Sequence, residues 1–168
     1  IEMFVVFVTL YFVLLNSIYN AASNSMSLND FLSESIYQII TPFDSQVVAI
    51  FLTDENENRS GAQNLRLTAH FGLTSKTAAN LNTLAIAGAF WEGIFKSKQP
   101  LAIHDVAVAD NLPDYLKLEE IFSIVILPLF TQTGVDSKIL GVVCLGRKEA
   151  KPYIQDEIIR LSAIAEQI

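Results

Sequence analysis

The sequence predicts an α+β domain in which an antiparallel β-sheet is flanked by N- and C-terminal helices. Three observations lead there. Phe122-Ser-Ile-Val-Ile-Leu-Pro-Leu-Phe130 and Ile139-Leu-Gly-Val-Val-Cys-Leu-Gly146 are short apolar runs rich in β-branched residues. The turn-forming segment Thr131-Gln-Thr-Gly-Val-Asp-Ser137 separates them, the pattern of a buried antiparallel hairpin. Tyr153 to Ile168 has the apolar spacing of an amphipathic helix, and the remaining strand signals are grouped between helical ones.

From the N-terminus, Met3 to Leu15 is almost wholly apolar, and Leu14 to Ser23 continues it as a first helix before the polar break Asn24-Ser-Met-Ser27. Ser27 is placed as an N-cap with Asp30 three residues on. Leu28, Phe31, Leu32, Ile36, Ile39 and Ile40 follow at helical spacing, one buried stripe. Pro42 disfavours helical geometry at Thr41 and is expected to end the helix. Gln46 to Thr53 is apolar on both faces, as a central strand is, and Asp54 to Gly61 is a charged loop at a hairpin tip. In the next strand Leu65, Leu67, Ala69 and Phe71 alternate with Arg66, Thr68 and His70, so the two sets are expected on opposite faces. Ala78 to Gly88 fits helix or strand equally. Gly88 to Phe95 opens a short helix carrying Trp91, Ile94 and Phe95, stopped by Pro100 before the strand Leu101-Ala-Ile-His104. Asp105 to Leu116 is irregular, and a helical turn is expected through Lys117 to Phe122. Pro128 belongs near a strand end, a bulge or an edge, because it cannot donate to a ladder.

Composition narrows the function classes. A chain of 168 residues makes one domain that buries roughly 70% of its unfolded surface. The net charge of −7 and the scatter of the basic residues argue against a nucleic-acid surface. One cysteine excludes an internal disulfide and suits a reducing compartment, and one Cys with two His leaves no Cys/His metal cage. No nucleophile–base pair can be built from neighbouring motifs and no Gly-rich phosphate loop is present, so the chain is expected to be non-enzymatic. The thirteen residues Met3 to Leu15 would reach about 20 Å as a helix, short of the ~30 Å of a bilayer core. No Lys or Arg follows until Arg59, against the basic flank expected on the cytoplasmic side. Two readings of residues 1–15 stand: a membrane-proximal helix continuing an anchor upstream, or an apolar helix buried in a dimer interface or against the sheet. The terminal helix adds Ile154, Ile158, Leu161, Ala165 and Ile168 at 4-3-4-3 spacing, a coiled-coil seam that would equally pack on the sheet, with Asp156 and Arg160 as an i,i+4 pair.

Several segments together resemble the GAF domain family of small-molecule sensor modules. "LLNSIYNAASNSMSLNDFLSESI" resembles its opening helix pair, "VVAIFLTDENE" its first strand and acidic turn, and "LRLTAHFGL" its second strand. "GIFKSKQPLAIHDV" is similar to its short helix, turn and "i-x-D" strand, with Asp105 at the commonly acidic position. The S-x-x-x-x-P-L strand, the I-L-G-V-V-x-L strand and the helix ending "LSAIAEQI" resemble its C-terminal half. The resemblance spans residues 12–168 and implies a GAF/PAS-like fold. The cyclic-nucleotide signature of phosphodiesterase members is missing, Cys144 has no nearby His as bilin-binding members would need, and a GAF-type sulfoxide reductase needs more cysteines.

By resemblance, the ligand cavity lies between one sheet face and residues 88–123, with Phe71 as a further neighbour. Trp91, Phe95, His104, Asp105, Asn111, Tyr115 and Ser123 would supply its mixture of apolar and polar groups. Ordinary core packing is the competing account of Trp91 and Phe95. His104 beside Asp105 suggests a pH-sensitive pair or a haem ligand, yet adjacent strand residues point to opposite faces, and Asp105 equally suits a turn cap. Cys144 reads as a small core hydrophobe. No cofactor is expected. The resemblance implies a sensor domain of a membrane-associated histidine kinase, cytoplasmic and tethered to the inner membrane. It would bind an unidentified small molecule and form a homodimer through its terminal helices. The alternative is a dimerisation or signal-relay module whose pocket is filled by Trp91, Phe95 and Phe122.

Overall fold

The structure is a computed structural model describing residues 27–53, 64–118, 120–131 and 137–165. The expectations for residues 1–26, for the loop 54–61, for the centre of the 131–137 turn and for residues 166–168 lie outside it, as do the side chains of Leu28 and Phe31. Helix α1 is Leu28–Ile40. Ser27 caps it as expected: its Oγ accepts the Asp30 N–H at 3.2 Å and donates to Asp30 Oδ2 at 2.7 Å. Such a cap contributes ~1 kcal/mol. Leu32, Ile36 and Ile39 form the buried stripe.

The helix stops where Pro42 predicts, though not in the predicted way. Thr41 keeps helical dihedrals (φ −66°, ψ −50°). Pro42 simply has no N–H to continue the ladder. The chain turns away at Asp44, which takes φ 46°, a left-handed conformation that Asp tolerates.

Strand β1 (Val47–Thr53) lies between β2 (Asn64–Phe71) and β6 (Ile139–Arg147), antiparallel to both. At the end of β2 Gly72 has φ 77°, and a Cβ there would sit 2.0 Å from the Gln46 carbonyl oxygen, so only glycine fits. The ambiguous stretch resolves into both structures: helix α2 (Ser75–Asn80), capped by Thr74, and strand β3 (Thr83–Ala85) on the edge beside β2. Helix α3 (Ala89–Ser97) closes at Lys98 in the left-handed conformation, and β4 (Leu101–Ile103) forms the opposite edge. Two 3₁₀ turns follow, Val106–Val108 and Asp114–Leu116. The helical turn expected at residues 117–122 is therefore displaced to 114–116, where Pro113 presets the entering φ. β5 (Ser123–Phe130) pairs with β6 as the predicted hairpin. β4 pairs only with residues 124–126, so β5 has an open flank at Pro128, and a bulge follows between Leu129 and Phe130. Helix α4 (Gln155–Ala165) comes last.

The sheet order is β3-β2-β1-β6-β5-β4, every pairing antiparallel. The α+β class is as expected. α1 and α4 cover one face, over Val48, Ile50, Val125, Leu127, Val143 and Leu145. The other face carries Val47, Ala49, Phe51, Ile124, Ile126 and Val142 beneath α3 and the 3₁₀ turns. Strict alternation fails in β2. Ile50 pairs with Ala69 and Phe51 with Leu67, so Thr68 is an extra residue in a β-bulge. Leu65 and Leu67 accordingly join the α3 face while Ala69 joins the α1 face. Phe71 goes with Ala69: its ring meets Tyr37 of α1 edge-on at 5.8 Å, away from the region expected to hold a ligand.

Candidate functional site

Helix α3 sets its apolar residues against the sheet, which buries Trp91 (1% exposed). The Trp91 indole N–H donates to the Tyr115 hydroxyl at 2.7 Å. Phe95 stacks on the indole (centroids 5.9 Å apart, 20° between planes), and Phe90 meets it edge-on at 5.1 Å. Phe130 meets Phe95 edge-on at 6.4 Å, with the Lys98 ammonium 5.4 Å from its ring centre. Trp91, Phe95 and Tyr115 are thus gathered, and they pack against one another. Phe90 and Phe130 complete the cluster, roles that no local pattern marks.

The other four candidates lie elsewhere. Asp105 caps the first 3₁₀ turn, accepting the Ala107 N–H at 2.9 Å. Asn111 is exposed in the stretch between the two turns. Ser123 is buried and donates to the Lys151 carbonyl at 3.0 Å, and the period of β5 puts it with Val125 and Leu127 on the α1–α4 face. His104 also lies toward α4, in a hollow of about 610 Å³ between β4 and that helix, with Ala102, Tyr153 and Ile158. Burial pushes the Cys144 thiol up to about 12, which keeps it protonated at neutral pH.

A second hollow opens on the α3 side of the sheet, where Leu73, Leu118 and Ile121 belong to the core of that face. It measures about 390 Å³ and lies between residues 72–80, residues 117–118 and 120–121, and Lys148. Lys76, Lys117, Lys148, Glu120 and Thr77 bring polar groups to it, and Leu118 and Ile121 apolar ones. Lys148 Nζ donates to Glu120 Oε2 at 2.8 Å, and that bond and charge hold the Glu120 carboxyl below its usual value. Lys117 pairs with Asp114 at 3.5 Å. Thr74 Oγ donates to Thr77 Oγ at 2.9 Å, leaving the Thr77 hydroxyl hydrogen to point elsewhere.

Arg147, at the end of β6, is a centre that sequence reasoning missed. It is 1% exposed. Its Nε donates to the Asp44 carbonyl at 3.1 Å. One terminal nitrogen donates to the Pro152 carbonyl (2.9 Å) and Glu157 Oε2 (3.2 Å), the other to the Phe43 carbonyl (2.7 Å) and Glu157 Oε1 (2.7 Å). All five donors are used. The guanidinium also lies 3.9 Å from the centre of the Tyr153 ring, whose hydroxyl meets Ser45 Oγ at 2.7 Å. Glu157 further accepts the Ile154 N–H at 3.0 Å, capping α4. Burial would raise the Glu157 carboxyl, but the bonds from Arg147 and Ile154 and the Arg147 charge outweigh it and hold the group below its usual value.

Among the described residues, no group of three or more His, Cys, Asp or Glu is placed to hold a metal ion, and no helix is long and apolar enough to cross a membrane.

Residues 25–168 match the family model of the GAF domain. The fold is similar to the GAF domain from Acinetobacter phosphoenolpyruvate-protein phosphotransferase, with a TM-score of 0.68 at 17% identity over 95% of this chain and 89% of that one. It is similar to the corresponding GAF domain from Coxiella burnetii, with a TM-score of 0.68 at 15% identity over 96% and 90%. A domain described as that of a two-component sensor histidine kinase protein from Sinorhizobium meliloti 1021 gives a TM-score of 0.64 at 18% identity over 84% and 88%. The sequence matches no curated protein.

Proposed function

The chain belongs to the GAF domain family, and on that premise we propose that it is the non-catalytic small-molecule sensor of a signal-transduction protein of the membrane-associated histidine-kinase type. The observation that carries the ligand-binding part is the 390 Å³ hollow on the α3 face, of metabolite size and lined by both polar and apolar groups. The likeness to a domain of a sensor kinase supports the signalling context. The apolar run Met3 to Leu15 supports a cytoplasmic domain tethered to a membrane. Ile154 just before α4 and Ile159 within it, each 58% exposed, are apolar surface suited to a homodimer through the terminal helices.

One observation favours a second reading. Where the family resemblance puts a ligand, Trp91, Phe95, Phe90 and Phe130 fill the space themselves, as in a relay module with no guest.

A thermal-shift screen of the chain against nucleotides, amino acids, organic acids, nitrate and aromatic metabolites separates the two. Saturation at 100 times the dissociation constant adds about 2.7 kcal/mol. For a domain of this size the melting midpoint is then expected to rise by roughly 5–10 °C. A dose-dependent rise supports the sensor; a flat response across the panel gives the relay reading.

A further inference from the structure

We infer that the guest of the hollow is a small polyanion, a short-chain metabolite carrying at least two negative charges as phosphate or carboxylate, gripped by Lys76, Lys117 and Lys148. The inference rests on the sensor reading and names its ligand class.

The argument starts from charge. The chain carries 11 basic and 18 acidic residues, a net −7, and its basic residues are scattered in sequence. Three of them nevertheless line one hollow, against the single carboxylate of Glu120. Counting also Asp114, which pairs with Lys117, three cations stand against two carboxylates, a local excess of one positive charge (three minus two) on a molecule of opposite overall sign. Concave walls focus such a field toward a guest.

The three lysines come from separate parts of the chain, so their convergence is a product of the fold. Lys76 lies in α2, Lys117 follows the second 3₁₀ turn, and Lys148 follows β6. The Lys148 main chain is itself fixed, its N–H donating to Gln46 Oε1 at 3.0 Å. The partners now holding two of the ammonium groups are replaceable. Asp114 is 98% exposed and Glu120 69%, and exposed pairs of this kind are weak. A phosphate or carboxylate on the guest takes over these bonds as charge-assisted ones. The Thr77 hydroxyl adds a neutral donor, and Leu118 and Ile121 give the carbon skeleton an apolar floor. Three cations are too few for a nucleic-acid track, which keeps the guest small.

The test is isothermal titration calorimetry on the whole 168-residue chain. Glycerol 3-phosphate and succinate are the two anionic arms, and glycerol and succinamide the neutral counterparts. Binding of either anion without its neutral counterpart is the expected result, and whichever arm binds tells phosphate from carboxylate. Lys76→Gln and Lys148→Gln are each expected to weaken it about tenfold, the scale of one charge-assisted bond. Raised salt weakens it too, whereas Glu120→Gln strengthens it by releasing Lys148. These are surface changes, and the emission of the single tryptophan, Trp91, checks that each variant keeps its fold. If succinamide or glycerol binds as well as the anions, or the lysine variants bind unchanged, the inference falls while the sensor reading stands. If neither the anions nor any compound of the thermal-shift panel binds, both fall together.

Discussion

Replacing Arg147 by Met keeps most of the side chain's volume and removes a charge toward which five acceptors are turned. Arg147→Met is expected to lose about 3–5 kcal/mol in urea unfolding, because it strands Glu157 and three carbonyls in a buried site. The pH dependence follows from Glu157. Its carboxyl is held below the ordinary 4.5, so folding favours the ionised form. The stability it contributes is complete above that value and is lost as pH falls through the folded value. Unfolding free energies measured through the acid range should fall less steeply in Glu157→Gln than in the parent, while the variant is weaker at neutral pH. None of this centre is legible in the sequence. Three of its five bonds go to main-chain carbonyls, which every residue has, and two of those lie about a hundred positions away. Ser27 is the opposite case, since an N-cap and its partner three residues on are both local.

At the scale of the element, α4 tests which use its apolar stripe serves. Leu161 and Ile164 are buried against the sheet, with Ile158 and Ala165 packed beside them. Leu161→Ala should cost about 2–5 kcal/mol in chemical unfolding. Ile159→Ala, on the exposed side, should stay within about 0.5 kcal/mol. The reverse order would mean that the seam faces a partner instead. The Asp156–Arg160 pair expected on this helix takes another form: Arg160 Nε donates to the Asp156 main-chain carbonyl at 3.2 Å, and its guanidinium lies 5.8 Å from the Phe43 ring centre. The β5–β6 hairpin was legible because burial on both faces demands continuous β-branched runs, and such runs have few other uses. β2 misled because its alternation is complete in the letters. The bulge at Thr68 answers to the pairing with β1, a constraint written in the other strand. Ser123 left the expected site for a related reason, since its phase in β5 decides which face of the sheet its side chain joins.

For the molecule as a whole, β1 and β6 are the shared wall of two cores, with Val48, Ile50, Val143 and Leu145 toward one and Phe51 and Val142 toward the other. Hydrogen exchange should therefore be slowest in these two strands and fastest in the three-residue edges β3 and β4. Uniform protection across the sheet would contradict that division. The fold class and the aromatic content of the middle segments were present in the sequence, and so was the order of the main strands, but the division of residues 75–85 into a helix and an edge strand was not. The lysine hollow was not, because its walls come from stretches that are unremarkable one at a time. The cation at the end of β6 has a mechanical consequence. It grips the carbonyls just after α1 and the carboxylate in the first turn of α4, so both helices are pinned to the sheet at one corner. Each helix is then a lever arm with a common pivot, about 20 Å long for α1 and about 16 Å for α4. A tilt of about 3° at that corner moves the far tip of α1 by about 1 Å.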